Sequence, residues 1–315
     1  MRIFYLLPHN PIPSGGLKVA YQMVSLLCRM GHDAYVAYET PGVHLSWFVH
    51  DVREISWADM AIMADKRRDL VIGWEDAEPL VRSGFHSKIM YIQGQIFINR
   101  SLPYYGIDVW FSSAFNAAAL PQFEGRETFL VRPYIDRKVF FYDTGEELVR
   151  RPTRVLIQKR KFGDTALENT LAEANMLTPG VADRASPVLV LPDCDEYAFA
   201  SALRSSQVFI AHSFPEGLGL PALEAMASGC LVVGFTGGGG TDYMIPGVNA
   251  FVARLDGDYR ELGAMLNLAL VADWHTAYTM REEGRRTADF FCPSRTEAML
   301  RAALAKYEYE DQGRV

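Results

Sequence analysis

Short runs of aliphatic and β-branched residues alternate with longer stretches of helical period along most of the chain. That alternation predicts parallel sheets covered by helices on both faces. The run Arg2–Leu7 is followed by a proline-bearing loop and then by Val19, Ala20, Met23, Val24, Leu27 and Met30, apolar residues at helical steps of three and four. Gly31 is the predicted stop. Further strands are predicted at Asp33–Tyr38, Leu70–Gly73, Lys88–Ile92, Val109–Ser112 and Thr128–Val131, with a poorly patterned region around Trp47, Phe48 and Trp57. Between Pro133 and Pro152 the pattern lapses into a charged stretch that includes Arg137, Lys138, Arg150 and Arg151, which reads as a linker. Alternation then resumes: strand Arg154–Gln158, a helix around Thr165–Met176, strand Val188–Leu191, helix Glu196–Arg204, strand Gln207–Ala211, helix Pro221–Ser228 and strand Leu231–Phe235. From Asp258 onward the pattern is almost wholly helical.

Length and composition sharpen this reading. At 315 residues the chain is about two domains long, and 49% hydrophobic with 22% charged residues is an ordinary globular balance. The net charge of −7 argues against nucleic acid as a partner, so an anionic ligand has to be held by local groups. Four cysteines, Cys28, Cys194, Cys230 and Cys292, lie far apart and read as reduced thiols in a cytoplasmic protein. No run of 18 apolar residues free of charge occurs, and the amino-terminal apolar run is too short for a signal peptide. Basic patches at Lys66-Arg67-Arg68 and Arg150–Lys161 leave room for peripheral contact with the inner face of a membrane; a solvated helix face and a linker are the simpler reading.

The segment richest in chemistry runs from His212 to Gly229, H-S-F-P-E-G-L-G-L-P-A-L-E-A-M-A-S-G, after a predicted strand and into a predicted helix. Pro221 suits a first helical position, and Gly217 and Gly219 allow close backbone approach to a ligand. The amides of Gly217, Leu218, Gly219 and Leu220 at a helix start form an anion site without a basic side chain. Glu216 and Glu224 flank it; an acid beside a phosphate is placed to meet hydroxyl groups instead. Asp193-Cys194-Asp195 has the form of a metal-binding D-x-D, but Asp195 before a helix is more simply a cap.

Two Glu residues with seven residues between them, around G-L-G-L-P and followed by A-M-A-S-G-C-L-V-V, strongly resemble the signature of retaining glycosyltransferases of the GT-B fold, family 4 (glycosyl transferases group 1). Thr236–Val252, Pro8–Gly16 with its following helix, and Val131–Phe140 resemble further segments of that family, so the likeness covers most of the chain. It implies two Rossmann-like α/β domains facing a central cleft: an acceptor-binding domain over 1–145, a donor-binding domain over 146–292, and a last helix over 293–315 returning to the first. It implies sugar transfer from a UDP- or GDP-type nucleotide sugar to a hydroxyl of a glycan, glycolipid or small molecule, with retention, as in polysaccharide biosynthesis. By that resemblance Glu216 contacts hydroxyls of the donor sugar and Glu224 grips the nucleotide ribose. The Gly217–Leu220 amides hold the distal phosphate or sugar, Gly15 and Gly16 face the diphosphate, and Arg160 with Lys161 or Lys159 supplies cations. With such donors no metal or other cofactor is expected. The segment Q-K-R-K-F-G-D lacks the family's usual glycine before Arg160, and Gln93 and Gln95 stand where many relatives carry a histidine.

Three other readings compete. A dinucleotide-dependent oxidoreductase needs a tight G-x-G-x-x-G turn, whereas Gly15-Gly16 follows a loop holding Pro8, Pro11 and Pro13. A sugar-nucleotide epimerase shares the fold, and a non-catalytic nucleotide- or glycan-binding homologue would serve as a partner subunit. The pair Glu216 and Glu224 favours transfer.

Overall fold

The structure is a computed structural model that describes residues 1–8, 13–94, 106–120, 123, 127–143, 147–159, 172 and 188–312. Two compact units result: Met1–Tyr134 together with the chain from Pro293, and Ile135–Cys292.

In the first unit the strands are β1 (Arg2–Leu7), β2 (Asp33–Tyr38), β3 (Glu54–Ser56), β4 (Leu70–Gly73), β5 (Ser87–Ile92), β6 (Asp108–Phe111) and β7 (Thr128–Leu130). They form one parallel sheet in the order β3-β2-β1-β4-β5-β6-β7. The near-continuous apolar run of β1 fits a central strand buried on both faces. Helix α1 (Gly15–Arg29) begins at Ser14, whose side chain accepts from the Leu17 amide at 3.2 Å. It ends as the sequence predicts. Gly31 takes φ +93°, its amide reaches Cys28 O at 3.0 Å, and the His32 amide reaches Leu27 O at 3.0 Å, a Schellman cap that needs a residue tolerant of positive φ. Short helices α2 (Trp57–Met63), α3 (Ala77–Ser83) and α4 (Ala114–Ala118) connect later strands. Residues Phe4, Leu6, Val71, Met90, Ile92, Val109 and Phe111 build one core face.

The second unit carries β8 (Thr153–Gln158), β9 (Val188–Leu191), β10 (Ser206–Ala211), β11 (Leu231–Gly234) and β12 (Phe251–Val252), parallel throughout, in the order β12-β11-β10-β8-β9. Helices α5 (Glu196–Arg204), α6 (Leu220–Ala227), α7 (Tyr259–Val271) and α8 (Trp274–Phe290) accompany them. Asp195 is the cap of α5, accepting from the Ala198 amide at 2.8 Å. Alternate residues Val155, Ile157, Val208, Ile210, Leu231 and Val233 pack with Leu262, Leu266 and Met280. The period of two in these strands therefore sets which face the carboxyl-terminal helices cover. Almost all of the helix expected over 165–176 lies outside the described residues.

The division between the units falls at Tyr134/Ile135, near the start of the Pro133–Pro152 stretch where the sequence pattern lapses. The charged stretch supplies the reason, because it packs onto the second unit. Ile135 N bonds Phe291 O at 2.8 Å, Arg137 donates to Ala227 O at 2.6 Å, and the Tyr142 hydroxyl donates to Glu282 at 2.7 Å. Arg151 is 2% exposed, with its guanidinium on the carbonyls of Leu203, Ser206 and Ser228. It is a buried tie between strand and helix ends, not a linker charge.

The final helix α9 (Pro293–Gln312) groups with the first unit. Thr296 donates to Arg132 O at 2.8 Å, Lys306 pairs with Asp108 at 2.8 Å, and Tyr307 donates to Asp108. Among the described residues no helix is long and apolar enough to cross a membrane.

Burial pushes several phenols up: Tyr38 and Tyr142 to about 12, Tyr5 and Tyr21 further still, and Tyr91 and Tyr243 well above their ordinary value. Because the folded values lie above the unfolded value of about 10, the fold retains protons that the unfolded chain loses. Stability is expected to be full below that pH and to fall as pH rises through the folded values. Urea midpoints across the alkaline range, with phenolate absorbance followed in parallel, test this; midpoints that stay flat while no tyrosine ionises separately from unfolding would contradict it.

Candidate active site

In the second unit the sheet reverses its order between β8 and β10, and a crevice beyond the carboxyl ends of strands at such a reversal is where ligands of open α/β sheets bind. A pocket opens there, with about 390 Å³ of empty space continuous with solvent. Gln158 ends β8, Ala211 and His212 leave β10, and Phe235 and Thr236 leave β11; Glu216, Gly219 and Ala222 line it from the start of α6.

The loop bearing Glu216 is built on backbone. Glu216 N bonds Gly237 O at 2.7 Å and Gly239 N bonds Glu216 O at 3.0 Å, so the loop and the glycine run form a one-residue parallel bridge. A Cβ at Gly239 would sit 2.2 Å from Gly217 O, so the two backbones touch. Gly219 takes φ +85° as the cap of α6, and its carbonyl accepts from the Tyr243 hydroxyl at 2.7 Å. The glycines therefore serve first to bring one backbone against another; close approach of a ligand is a separate property of the same loop.

One sequence expectation shifts. Helix α6 begins at Leu220, which makes Pro221 its second residue, and Glu224 lies one residue beyond the first turn. Glu224 is 4% exposed, so a favourable surface position against the helix dipole does not account for it. Within the anion site, Ala222 N is taken up by Gly219 O at 3.2 Å and Pro221 has no N–H. Leu218 and Leu220 bury their side chains, leaving only backbone for a ligand.

The structure brings Glu216 and Gly219 into one pocket, and Gly217, Leu218 and Leu220 belong to the same loop and helix start. Tyr243 links the two acids: its phenol is raised well above 10 by burial first, and then by the charges of Glu216, Glu224 and Asp242. It stays a hydrogen-bond donor. Asn249 fixes this tyrosine, with its amide donating to Tyr243 O at 2.8 Å and to Thr287 at 2.9 Å, while its carbonyl oxygen accepts from the Ile245 amide. Arg160 and Lys161 lie outside the described residues, as does Gln95. Lys159 is exposed at the end of β8, its amide continuing the ladder to Leu191 O at 2.7 Å.

Gly15 and Gly16 open α1 in the first unit, beyond β1, where that sheet too reverses order between β1 and β4. Gln93 reaches Gly16 O and the Tyr5 hydroxyl, each at 3.2 Å. Beside it, the buried Glu75 accepts from the amides of Gln93 and Gly94.

Sequence reasoning missed Gln158 and Tyr243. Gln158 is 8% exposed, and among the described residues its Oε1 is buried without a hydrogen-bond partner. A buried polar atom left unpaired costs about 1–3 kcal/mol, so its position in the pocket wall points to a ligand or water that completes it. No motif signals such a residue; it reads as the last residue of a strand.

Residues 148–269 match the family described as Glycosyl transferases group 1. None of the curated proteins matches the chain in sequence. Among solved structures, HepE from Anabaena, determined in complex with UDP-glucose, is 15% identical with a TM-score of 0.73, over 97% of this chain and 100% of that one. Sucrose-phosphate synthase from Thermosynechococcus elongatus is 14% identical with a TM-score of 0.73, over 98% and 99%. A glycosyltransferase from Rickettsia africae is 15% identical with a TM-score of 0.71, over 100% and 99%. At these identities the likeness is one of fold, and the family match lies inside the second unit. The chain has the GT-B fold, and with the match over 148–269 this supports a glycosyltransferase of the group 1 kind.

Proposed function

We propose that the chain moves a sugar from a nucleotide diphosphate sugar to an acceptor hydroxyl, with retention of configuration and without a metal at the donor site. The carrying observation is that Glu216, Gln158 and the start of α6 open on one pocket at the reversal point of the second sheet. The family match over the same unit supports it, and the UDP-glucose complex of HepE makes UDP-sugars the first donors to try.

The second unit binds the donor and the first unit the acceptor. Glu216 and Gln158 take hydroxyl groups of the donor, Glu224 the ribose, and the Leu218–Leu220 amides an anionic oxygen. Arg160 and Lys161 add positive charge. As the anomeric carbon–oxygen bond opens, its electron pair passes to the leaving diphosphate while the sugar ring gains positive charge. The acceptor oxygen bonds to the anomeric carbon on the face the diphosphate leaves, and the acceptor proton goes to that phosphate. One well-placed donor aimed at developing negative charge contributes on the order of 3 kcal/mol.

UDP at a hundred times its dissociation constant is expected to stabilise the protein by about 2.7 kcal/mol, measured as a thermal shift against GDP. Transfer is expected to survive EDTA. Activity abolished by EDTA and restored by Mn²⁺ but not by Zn²⁺ would defeat the metal-independent reading.

A further inference from the structure

We propose that His44, His50 and Glu54 of the first unit form a binding site for a divalent transition-metal ion of the zinc type. The site is independent of the sugar-transfer reading. The loop between β2 and β3 carries both histidines, and Glu54 is the first residue of β3. His44 Nδ1 lies 2.7 Å from Glu54 Oε2, and His50 Nε2 lies 3.5 Å from Glu54 Oε1. One ligand atom from each residue falls within 4.8 Å of the other two. Zinc with bonds of about 2.0–2.1 Å to nitrogen and oxygen needs neighbouring ligands about 3.3 Å apart in a tetrahedron, so small side-chain adjustments suffice.

The His50 ring is held in place: its side chain is 8% exposed, and Nε2, the nitrogen that faces Glu54, lies 3.1 Å from Leu45 O. In the tautomer protonated at Nδ1, Nε2 offers its lone pair beside the carboxylate. The carboxylate is also supported from behind: Tyr21 donates to Glu54 Oε1, and the Leu45 amide approaches it at 3.4 Å. His44 is 68% exposed, which leaves a route for the ion.

The donor set decides the class. Two imidazole nitrogens and one carboxylate suit Zn²⁺, Co²⁺ or Ni²⁺, whereas Mg²⁺ and Ca²⁺ take oxygen ligands. Three protein ligands leave a fourth position for water. Such an ion would pin the β2–β3 loop to the sheet edge.

The test uses the full chain, stripped with EDTA and desalted. ZnCl2 titrated into it by calorimetry is expected to bind one ion per chain, and Co²⁺ to give tetrahedral d–d absorption without a thiolate charge-transfer band. H44A, an exposed position whose loss spares the fold, is expected to weaken the 1:1 affinity at least 10- to 100-fold, the range seen for supporting groups alone. E54Q, checked by circular dichroism, is expected to do the same. Absence of saturable 1:1 binding, a thiolate band in the Co²⁺ spectrum, or affinities unchanged in both variants would overturn the proposal.

Discussion

Glu216→Gln is expected to lower sugar transfer by about a hundredfold or more while nucleotide diphosphate affinity stays nearly unchanged. The fold should tolerate the change. Glu216 is held through its main chain, by the bonds from its amide to Gly237 O and from Gly239 N to its carbonyl, and glutamine preserves both. Only the carboxylate charge is removed, and with it the strongest acceptor on the donor-sugar side of the proposed site. Its companion Glu224→Ala should show the opposite division, with nucleotide affinity down roughly 10- to 100-fold, because a hydrogen bond to a charged group is worth about 1.5–3 kcal/mol. Glu224 is buried, so Glu224→Gln distinguishes lost charge from a packing defect. Single-turnover rates with a nucleotide sugar, together with calorimetric titration of the nucleotide, read both. Native rates and affinities in the pair would remove these acids from the site.

Gly239→Ala is expected to damage stability and transfer together. Its new Cβ would fall 2.2 Å from Gly217 O, 2.3 Å from Gly217 C and 2.5 Å from Leu218 N, all backbone atoms that no rotamer change can move. Relief requires the Glu216 loop to part from the glycine run, at a cost of about 3 kcal/mol for overpacking. In a domain of this size that lowers Tm by about 6–12 °C. Gly247→Ala is the comparison: Gly247 has φ +73° with nothing within 4 Å of the added methyl, so only the left-handed backbone is penalised, about 1–2 kcal/mol. Thermal melts and urea midpoints of the two variants separate the effects. Equal losses would mean that contact between the two loops is not what requires glycine at 239.

Hydrophobic period carried most of the fold into view. Strands such as β1 and β4 are near-continuous apolar runs, and α1 shows both its stripe and the glycine that ends it. Period failed where elements are short: β3 has three residues and β12 two, too few to show alternation. Charge misled at Arg151, since a buried guanidinium satisfied by three carbonyls looks like a linker residue in sequence. In the candidate site the Glu216–Glu224 spacing was legible, because loop and helix are contiguous in the chain. Tyr243, Asn249 and Gln158 were not, because they reach the site from strands and turns brought together only by the sheet order. The purpose of Gly237–Gly240 was hidden for the same reason: Gly239 meets the backbone at Gly217, 22 residues upstream.

The hydrogen bond between Ile135 N and Phe291 O joins the first and last turns of the second unit, while the first unit is made from chain on both sides of it. During synthesis this reverses the usual order in which amino-terminal domains finish first. The second unit is closed once Phe291 has emerged, and it can form its sheet as a self-contained insert. Tyr134 and everything before it must wait, since Asp108 and Arg132 obtain their partners Lys306 and Thr296 only from the last helix. A nascent chain stalled near Cys292 would thus present a finished second unit attached to an unfinished first unit, and proteolysis of such chains should nick the earlier half.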